Sequence, residues 1–135
     1  MNGLKKYADI FIRFPVGFHL IYGTQDNIFS WSRMLEFRDF LENLGVPFAL
    51  WAAHLSVYAQ FFAGIAFILG YKTKWAAVLM IINFVIAIYL VHLTDAYPSK
   101  FPAIMMLFAS IFILFNGDGY VSIELLCKKV KQARK

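Results

Sequence analysis

The sequence predicts an all-α membrane protein: a transmembrane four-helix bundle with an interfacial amphipathic helix between the first and second spans. Hydrophobic residues make up 61% of the 135 positions and the mean hydropathy is +0.64, well above the usual composition of soluble domains. Residues 50–70 contain no formally charged side chain and have about the length that a helix needs to cross a bilayer. We therefore expect a single membrane domain over residues 1–135, with room for about four spans.

The first predicted span covers residues 7–24 and follows a short basic lead. It is weakened by Asp9, Arg13, Pro15 and His19, and Pro15 should kink the helix or relieve it locally. A signal peptide has a similar basic start and apolar run. The charges inside this run, and the missing small-residue cleavage site, favour a retained helix.

An amphipathic segment is predicted at about residues 30–45, where apolar side chains recur at helical spacing between charged ones. Ser30 or Ser32 is placed to cap this helix, and Gly45, Val46 and Pro47 should end it. Such a helix lies at the membrane interface or is tucked over the bundle.

Three further spans are predicted at residues 50–70, 75–93 and 101–115. The last is short for a bilayer unless the flanking turns lie within the interface. The chain ends in a basic tail, residues 127–135, which suits contact with anionic lipid or with an acidic soluble partner.

The distribution of Lys and Arg predicts the orientation. With four spans, nine of these residues lie on the side that carries both termini and the turn at residues 71–74, against three on the other side. By the positive-inside rule both termini are cytoplasmic, and the amphipathic segment faces outward.

The net charge and the cysteine content limit the partners and the redox chemistry that this chain can have. The net charge of +5 comes mostly from the termini and is accompanied by no aromatic-basic nucleic-acid motif, so we expect the lipid bilayer, and no nucleic acid, as partner. The single cysteine, Cys127, excludes an internal disulfide or a CxxC pair, so dithiol chemistry would need another protein.

The histidines His19, His54 and His92 are all predicted within about 10 Å of the outer interface, because each lies near the outer end of its span. Converging imidazoles can bind a quinone carbonyl, ligate a metal or hold haem, with Tyr58 and Tyr89 as neighbouring candidates. Quinone ranks ahead of haem or metal, since no HxxxH or ExxH pair is present. The plainer alternative is that these side chains are interface anchors or pair privately with backbone carbonyls.

Three polar residues lie deeper in the predicted spans. Arg13 can pair with Asp9 one helical turn earlier, or it can contact an anion or a quinone head group. Gln60 and Asn83 are near mid-depth and can hydrogen-bond across the second and third spans, which more often holds helices together than it serves catalysis.

A set of features follows in a fixed order along the chain: Arg13, Gly17, Gly23, residues 43–47, Gly64, residues 69–74, His92 and residues 117–124. In this order and spacing the chain resembles the DoxX family of small four-helix bacterial membrane proteins, and the resemblance covers nearly its whole length. Gln60 stands nearest to a glutamate that the family often carries in the second span.

The resemblance implies a bacterial cytoplasmic (inner) membrane protein linked to respiratory or sulfur redox chemistry. Family members act as quinol oxidase or thiosulfate–quinone oxidoreductase subunits, or as membrane partners of soluble redox enzymes. Two hypotheses follow: a quinone-linked, redox-associated subunit working with a soluble or membrane redox partner protein, or a non-catalytic scaffold with no bound cofactor. The sequence leaves open whether the chain is an enzyme, and homo-oligomerisation is compatible with either hypothesis.

Overall fold

The computed structural model describes residues 6–134, and within them the secondary structure is entirely helical. The helices are α1 (Ile10–Phe29), α2 (Trp31–Asn43), α3 (Ala49–Leu69), α4 (Thr73–Leu90), α5 (Tyr97–Asn116) and α6 (Ile123–Ala133). The basic lead residues 1–5 and Lys135 lie outside the described residues.

Three of the described helices, α3, α4 and α5, are long and apolar enough to cross a membrane. At most 28% of the residues in their apolar stretches are buried inside the protein, and large side chains such as Trp51, Trp75 and Phe115 lie outward. Because so much outward apolar surface is unfavourable in water, these helices need lipid around them.

α1 is 20 residues long but is not among those apolar helices, since Arg13, Gln25 and Asp26 lie within it. It begins at Ile10 and continues five residues past the predicted end of the first span. The prediction rested on polarity after Thr24, whereas the backbone remains helical until Ser30, whose extended conformation ends it. That this helix is a fourth span remains a prediction.

α2 packs over the first half of α3. Its buried residues Met34 and Leu41 form a small apolar cluster with Ala49, Ala53 and Val57 of α3. The helix ends at Asn43 and is followed by Gly45 with φ of +78°, which confirms the predicted stop. Ser30 is the N-cap residue, although its hydroxyl lies 2.9 Å from that of Ser32 and does not cap the backbone.

α4 and α5 both begin earlier than predicted. α4 starts at Thr73, two residues before the expected Trp75, and ends at Leu90. α5 starts at Tyr97, four residues before the predicted span. Pro98 lies in its first turn, where a proline costs little. The result is a helix of 20 residues, about 30 Å long, where the sequence suggested a short span.

The helices pack mainly in two pairs, α1 with α3 and α4 with α5. Between them lies the larger apolar core, which includes Leu20, Phe67, Ala77, Met80 and Ile113. α1 and α3 meet at Gly17 and Gly64, where a Cβ on either glycine would come within 2.7 Å of the other's carbonyl oxygen. The packed helices therefore have two ends. At one of them α1 and α4 begin and α3 and α5 finish, and it is called here the Arg13 end; the opposite one is called the α2 end.

Candidate functional site

A buried polar cluster closes the Arg13 end of the bundle. The Arg13 side chain is 1% exposed and donates to three separate segments: Nε to Asp9 Oδ2 at 2.8 Å, Nη1 to the Phe67 carbonyl at 3.0 Å and Nη2 to the Val121 carbonyl at 2.7 Å. The predicted Asp9–Arg13 pair is therefore confirmed. Because the guanidinium is enclosed by protein, a ligand could reach it only if these segments separated.

Two glycines let the chain approach this guanidinium closely. A Cβ on Gly70 would lie 2.6 Å from Arg13 Nη1, and one on Gly119 would overlap the Asp9 carboxylate. Both glycines also have positive φ. Within the described residues, Asp9 Oδ1 is the buried side-chain atom that has no hydrogen-bond partner. This end of the bundle is built tightly around one ion pair.

A second contact ties the same end together. The Asp118 carboxylate accepts hydrogen bonds from the Thr73 backbone N–H at 2.8 Å and from the Thr73 hydroxyl at 2.9 Å. It thereby satisfies a free N–H at the start of α4, and its negative charge lies at the favourable end of the helix dipole. The turn after α5 is therefore fixed to the turn before α4.

The three histidines have separate surroundings. His54 Nδ1 lies 2.8 Å from the Leu50 carbonyl, and its ring lies near those of Trp31 and Tyr58. His92 Nδ1 lies 2.8 Å from Asp95 Oδ2, and His19 is exposed on α1. Within residues 6–134, no hydrogen bond or ring contact joins two of these histidines, and no group of three His, Cys, Asp or Glu side chains is placed to hold a metal ion.

The two candidate tyrosines lie on outward surfaces. Tyr58 belongs to a row of rings on α3, between His54 and Phe62, with centroid distances of 6.1 and 6.2 Å. Tyr89 on α4 is 68% exposed. Whether these residues bind a ligand stays a prediction.

A groove of about 270 Å³ runs between α2, α3 and α4 in the α2 half of the bundle. Its walls are almost entirely apolar, and the polar residues in them are Ser56 and Asn83. The lining residues are Phe37, Leu41, Val46, Ala52, Leu55, Ser56, Ala59, Leu79, Ile82, Asn83, Ile86, Ala87, Leu90 and Val91. Its volume is just below the usual range of small-molecule sites.

The polar residues of the groove form a short chain of hydrogen bonds. The Ser56 hydroxyl donates to Asn83 Oδ1 at 2.8 Å, and Gln60 Nε2 donates to the Ser56 hydroxyl at 3.0 Å. The expected link between Gln60 and Asn83 thus passes through Ser56, which the sequence analysis did not single out. Its position one helical turn before Gln60 was the available signal.

The amide nitrogen of Asn83 remains available. Among the described residues it has no hydrogen-bond acceptor, and it is not one of the fully buried side-chain atoms. Asn83 lies near the middle of α4 and lines the groove. An unpaired N–H donor in an apolar medium is costly. A ligand carbonyl that accepts a hydrogen bond from the Asn83 amide would therefore be stabilised there.

A second, more open groove of about 420 Å³ adjoins the first along α3 and α4. The two grooves share Leu55, Ala59 and Leu79 as lining residues. The second continues past Tyr58 and Phe62 to Lys72 and Trp75 near the Arg13 end. Together they follow most of the seam between α3 and α4.

Comparison with known proteins gives a family. The family model described as DoxX matches residues 8–93, which are well over half of the chain and include α2, α3, α4 and the whole lining of the first groove. No curated protein and no solved structure matches the chain.

Proposed function

The chain belongs to the DoxX family, and from that premise we propose that it is a quinone-binding membrane subunit of a redox system. The head group would occupy the groove between α2, α3 and α4, with a ring carbonyl against Asn83. The observation that carries this proposal is the free amide donor of Asn83 in an otherwise apolar groove.

The chemistry of the groove suits both redox forms of a quinone. A quinone presents two carbonyl acceptors on a flat apolar ring, and the Asn83 N–H groups can donate to one of them. In the quinol form the same oxygen carries a proton and can donate to the Ser56 hydroxyl or to the Asn83 carbonyl. The apolar walls accommodate the ring, and the adjoining groove offers a path for an apolar tail.

Electron transfer is assigned to a partner protein. The one cysteine of the chain, Cys127, cannot form a dithiol pair by itself. In this proposal the chain binds and orients the quinone, and a soluble or membrane redox protein exchanges electrons with it.

We further propose that α1 is the fourth membrane crossing and that both termini face the cytoplasm of a bacterium, in its inner membrane. Support comes from the contact of α1 with α3 at Gly17 and Gly64, from the outward rings of Phe11, Phe14 and Phe18, and from the positive-inside count. Arg13 in this helix and Asp9 at its N-cap are enclosed and paired with each other.

A titration with a short-chain quinone tests the function. We expect the protein in lipid nanodiscs to bind it, and Asn83→Leu to weaken binding about tenfold, the effect of losing roughly one well-placed hydrogen bond. Ala87→Phe, which fills the groove and leaves Asn83 and Ser56 in place, should abolish binding. Asn116→Leu, at the exposed end of α5, is the matched control and should bind normally.

The second candidate is a scaffold without a cofactor. It is favoured because His54 and His92 each have a separate partner within the protein, the Leu50 carbonyl and Asp95, and because Ser56 links α3 to α4. In that case the folded protein binds no quinone, and Asn83→Leu changes its stability alone. Loss of binding in His54→Leu, with normal binding in Asn83→Leu and Ala87→Phe, would move the site to the histidines.

A further inference from the structure

The C-terminal helix α6 presents an apolar helix face that is largely exposed within residues 6–134. None of its residues is buried, and Ile123, Leu126 and Val130 are 37%, 61% and 54% exposed. These three positions are spaced by three and four residues, so they lie on one side of the helix. An apolar stripe of this kind is unfavourable in water and suits an apolar surface.

Cations border this stripe. On a helical wheel Lys129 and Lys131 fall on either side of it, while Lys128 lies on the far side, 3.7 Å from Glu124. Arg134 follows at the C-cap. Lysines that flank an apolar stripe can extend their ammonium groups to a headgroup layer while the stripe enters the acyl boundary.

The start of α6 is fixed to the end of the membrane helices. Ser122 caps its first turn by accepting from the Leu125 N–H at 3.2 Å, and the Glu124 N–H donates to the Gly70 carbonyl at 3.3 Å. Arg13 donates to Val121 just before it. Since Gly70 ends α3 and α5 finishes at Asn116, α6 begins beside the ends of two of the helices that are apolar enough to cross a membrane.

From this juxtaposition we propose that α6 is an interfacial helix that binds the surface of an anionic phospholipid bilayer. Its apolar stripe enters the boundary region, and its lysines contact lipid phosphates. An acidic protein would match the charge as well, but the position of the first turn beside the bilayer and the apolar stripe between two lysines favour lipid. The proposal does not depend on quinone binding.

Cys127 is a natural reporter for this arrangement. It is exposed, it is the one cysteine of the chain, and it lies four residues after Ile123 at the edge of the apolar stripe. A nitroxide attached there reports its depth through the balance of its accessibility to oxygen and to a water-soluble nickel complex. The full chain would be compared in nanodiscs of phosphatidylcholine and of an equal mixture of phosphatidylcholine and phosphatidylglycerol.

We expect the label to lie at headgroup depth in the anionic discs and to be more water-exposed in the neutral discs. Replacing Lys129 and Lys131 together by Gln should return it to water in the anionic discs. The matched control replaces Arg33 and Arg38 by Gln, which removes as many cations from the α2 end and should leave the depth unchanged. A label that is equally water-exposed in both discs, or whose depth the lysine replacements do not change, would overturn the proposal and direct attention to an acidic protein.

Discussion

Arg13 joins three segments that are far apart in the sequence. Its guanidinium connects the turn before α1, the last turn of α3 and the segment before α6 through three hydrogen bonds. Arginine suits this role because its donors point in several fixed directions at once. A lysine at the same position has one ammonium group and cannot reach all three acceptors.

We predict that Arg13→Gln lowers the free energy of unfolding by about 3–5 kcal/mol, because it leaves the Asp9 carboxylate buried without its counter-charge. Arg13→Lys should recover only part of that loss. The comparison is made by denaturant titration of the purified protein in detergent.

Arg33→Gln provides the control, since Arg33 pairs with Glu36 at the surface and its loss should cost less than about 1 kcal/mol. Equal effects at positions 13 and 33 would mean that the buried cluster contributes little to stability.

Only the ion pair of this cluster could be predicted from the sequence. The Asp9–Arg13 pair follows from helical spacing, since residues four apart lie on one face. The carbonyls of Phe67 and Val121 lie 54 and 108 positions away, and backbone acceptors carry no sequence signal. Likewise the helix of His54 was predictable, whereas its packing beside Trp31 depends on how α2 lies on α3.

At the scale of helices, the crossing of α1 and α3 depends on two glycines. Each lacks the Cβ that would otherwise contact the other's carbonyl oxygen at 2.6 or 2.7 Å, and small residues at such crossings let helix backbones approach in membranes. Gly17 and Gly64 stand out in the sequence only as features of the family resemblance, and that they face each other is known only from the structure.

We predict that Gly64→Ala destabilises the protein by about 1–3 kcal/mol, because the methyl group forces α1 away from α3. Gly23→Ala is the matched control: it lies in the same helix as Gly17, has no atom within 4 Å of its would-be Cβ, and should be neutral or slightly stabilising. Thermal unfolding of the two variants in detergent measures both effects. If Gly64→Ala proves as neutral as Gly23→Ala, the helices do not need this contact.

Helix boundaries show where local patterns are insufficient. Pro98 lies between the third and fourth predicted spans but occupies the first turn of α5, and the polar residues after Thr24 continue α1. Both residue types are compatible with a helix at these positions, so tertiary packing decides the boundary.

The molecule as a whole has the outward apolar surface of a membrane protein. Its long apolar helices bury little of their surface in one another, and many of its cations lie in the tail and around the start of α4. Composition alone predicted a membrane protein, because a chain with so much apolar surface is unfavourable in water. The groove could not be predicted from composition, since it forms where α2 covers part of the seam between α3 and α4.

The orientation gives a prediction for the entire chain. If both termini face the cytoplasm, as we propose, Cys127 in intact cells should react with a membrane-impermeant maleimide only after permeabilisation. The matched variant combines Cys127→Ser with Ser99→Cys, at the exposed α2 end, and should react without permeabilisation. The reverse pattern would invert the topology.

Photolabelling tests directly whether the groove between α2, α3 and α4 binds a quinone. A short-chain azidoquinone is cross-linked to the protein in nanodiscs, and the modified peptides are identified by mass spectrometry. We expect labels within residues 52–59 and 79–91 that unlabelled quinone competes away and that Ala87→Phe abolishes. Labels spread over the lipid-facing surface without competition, or confined to the surroundings of His19, His54 and His92, would contradict it.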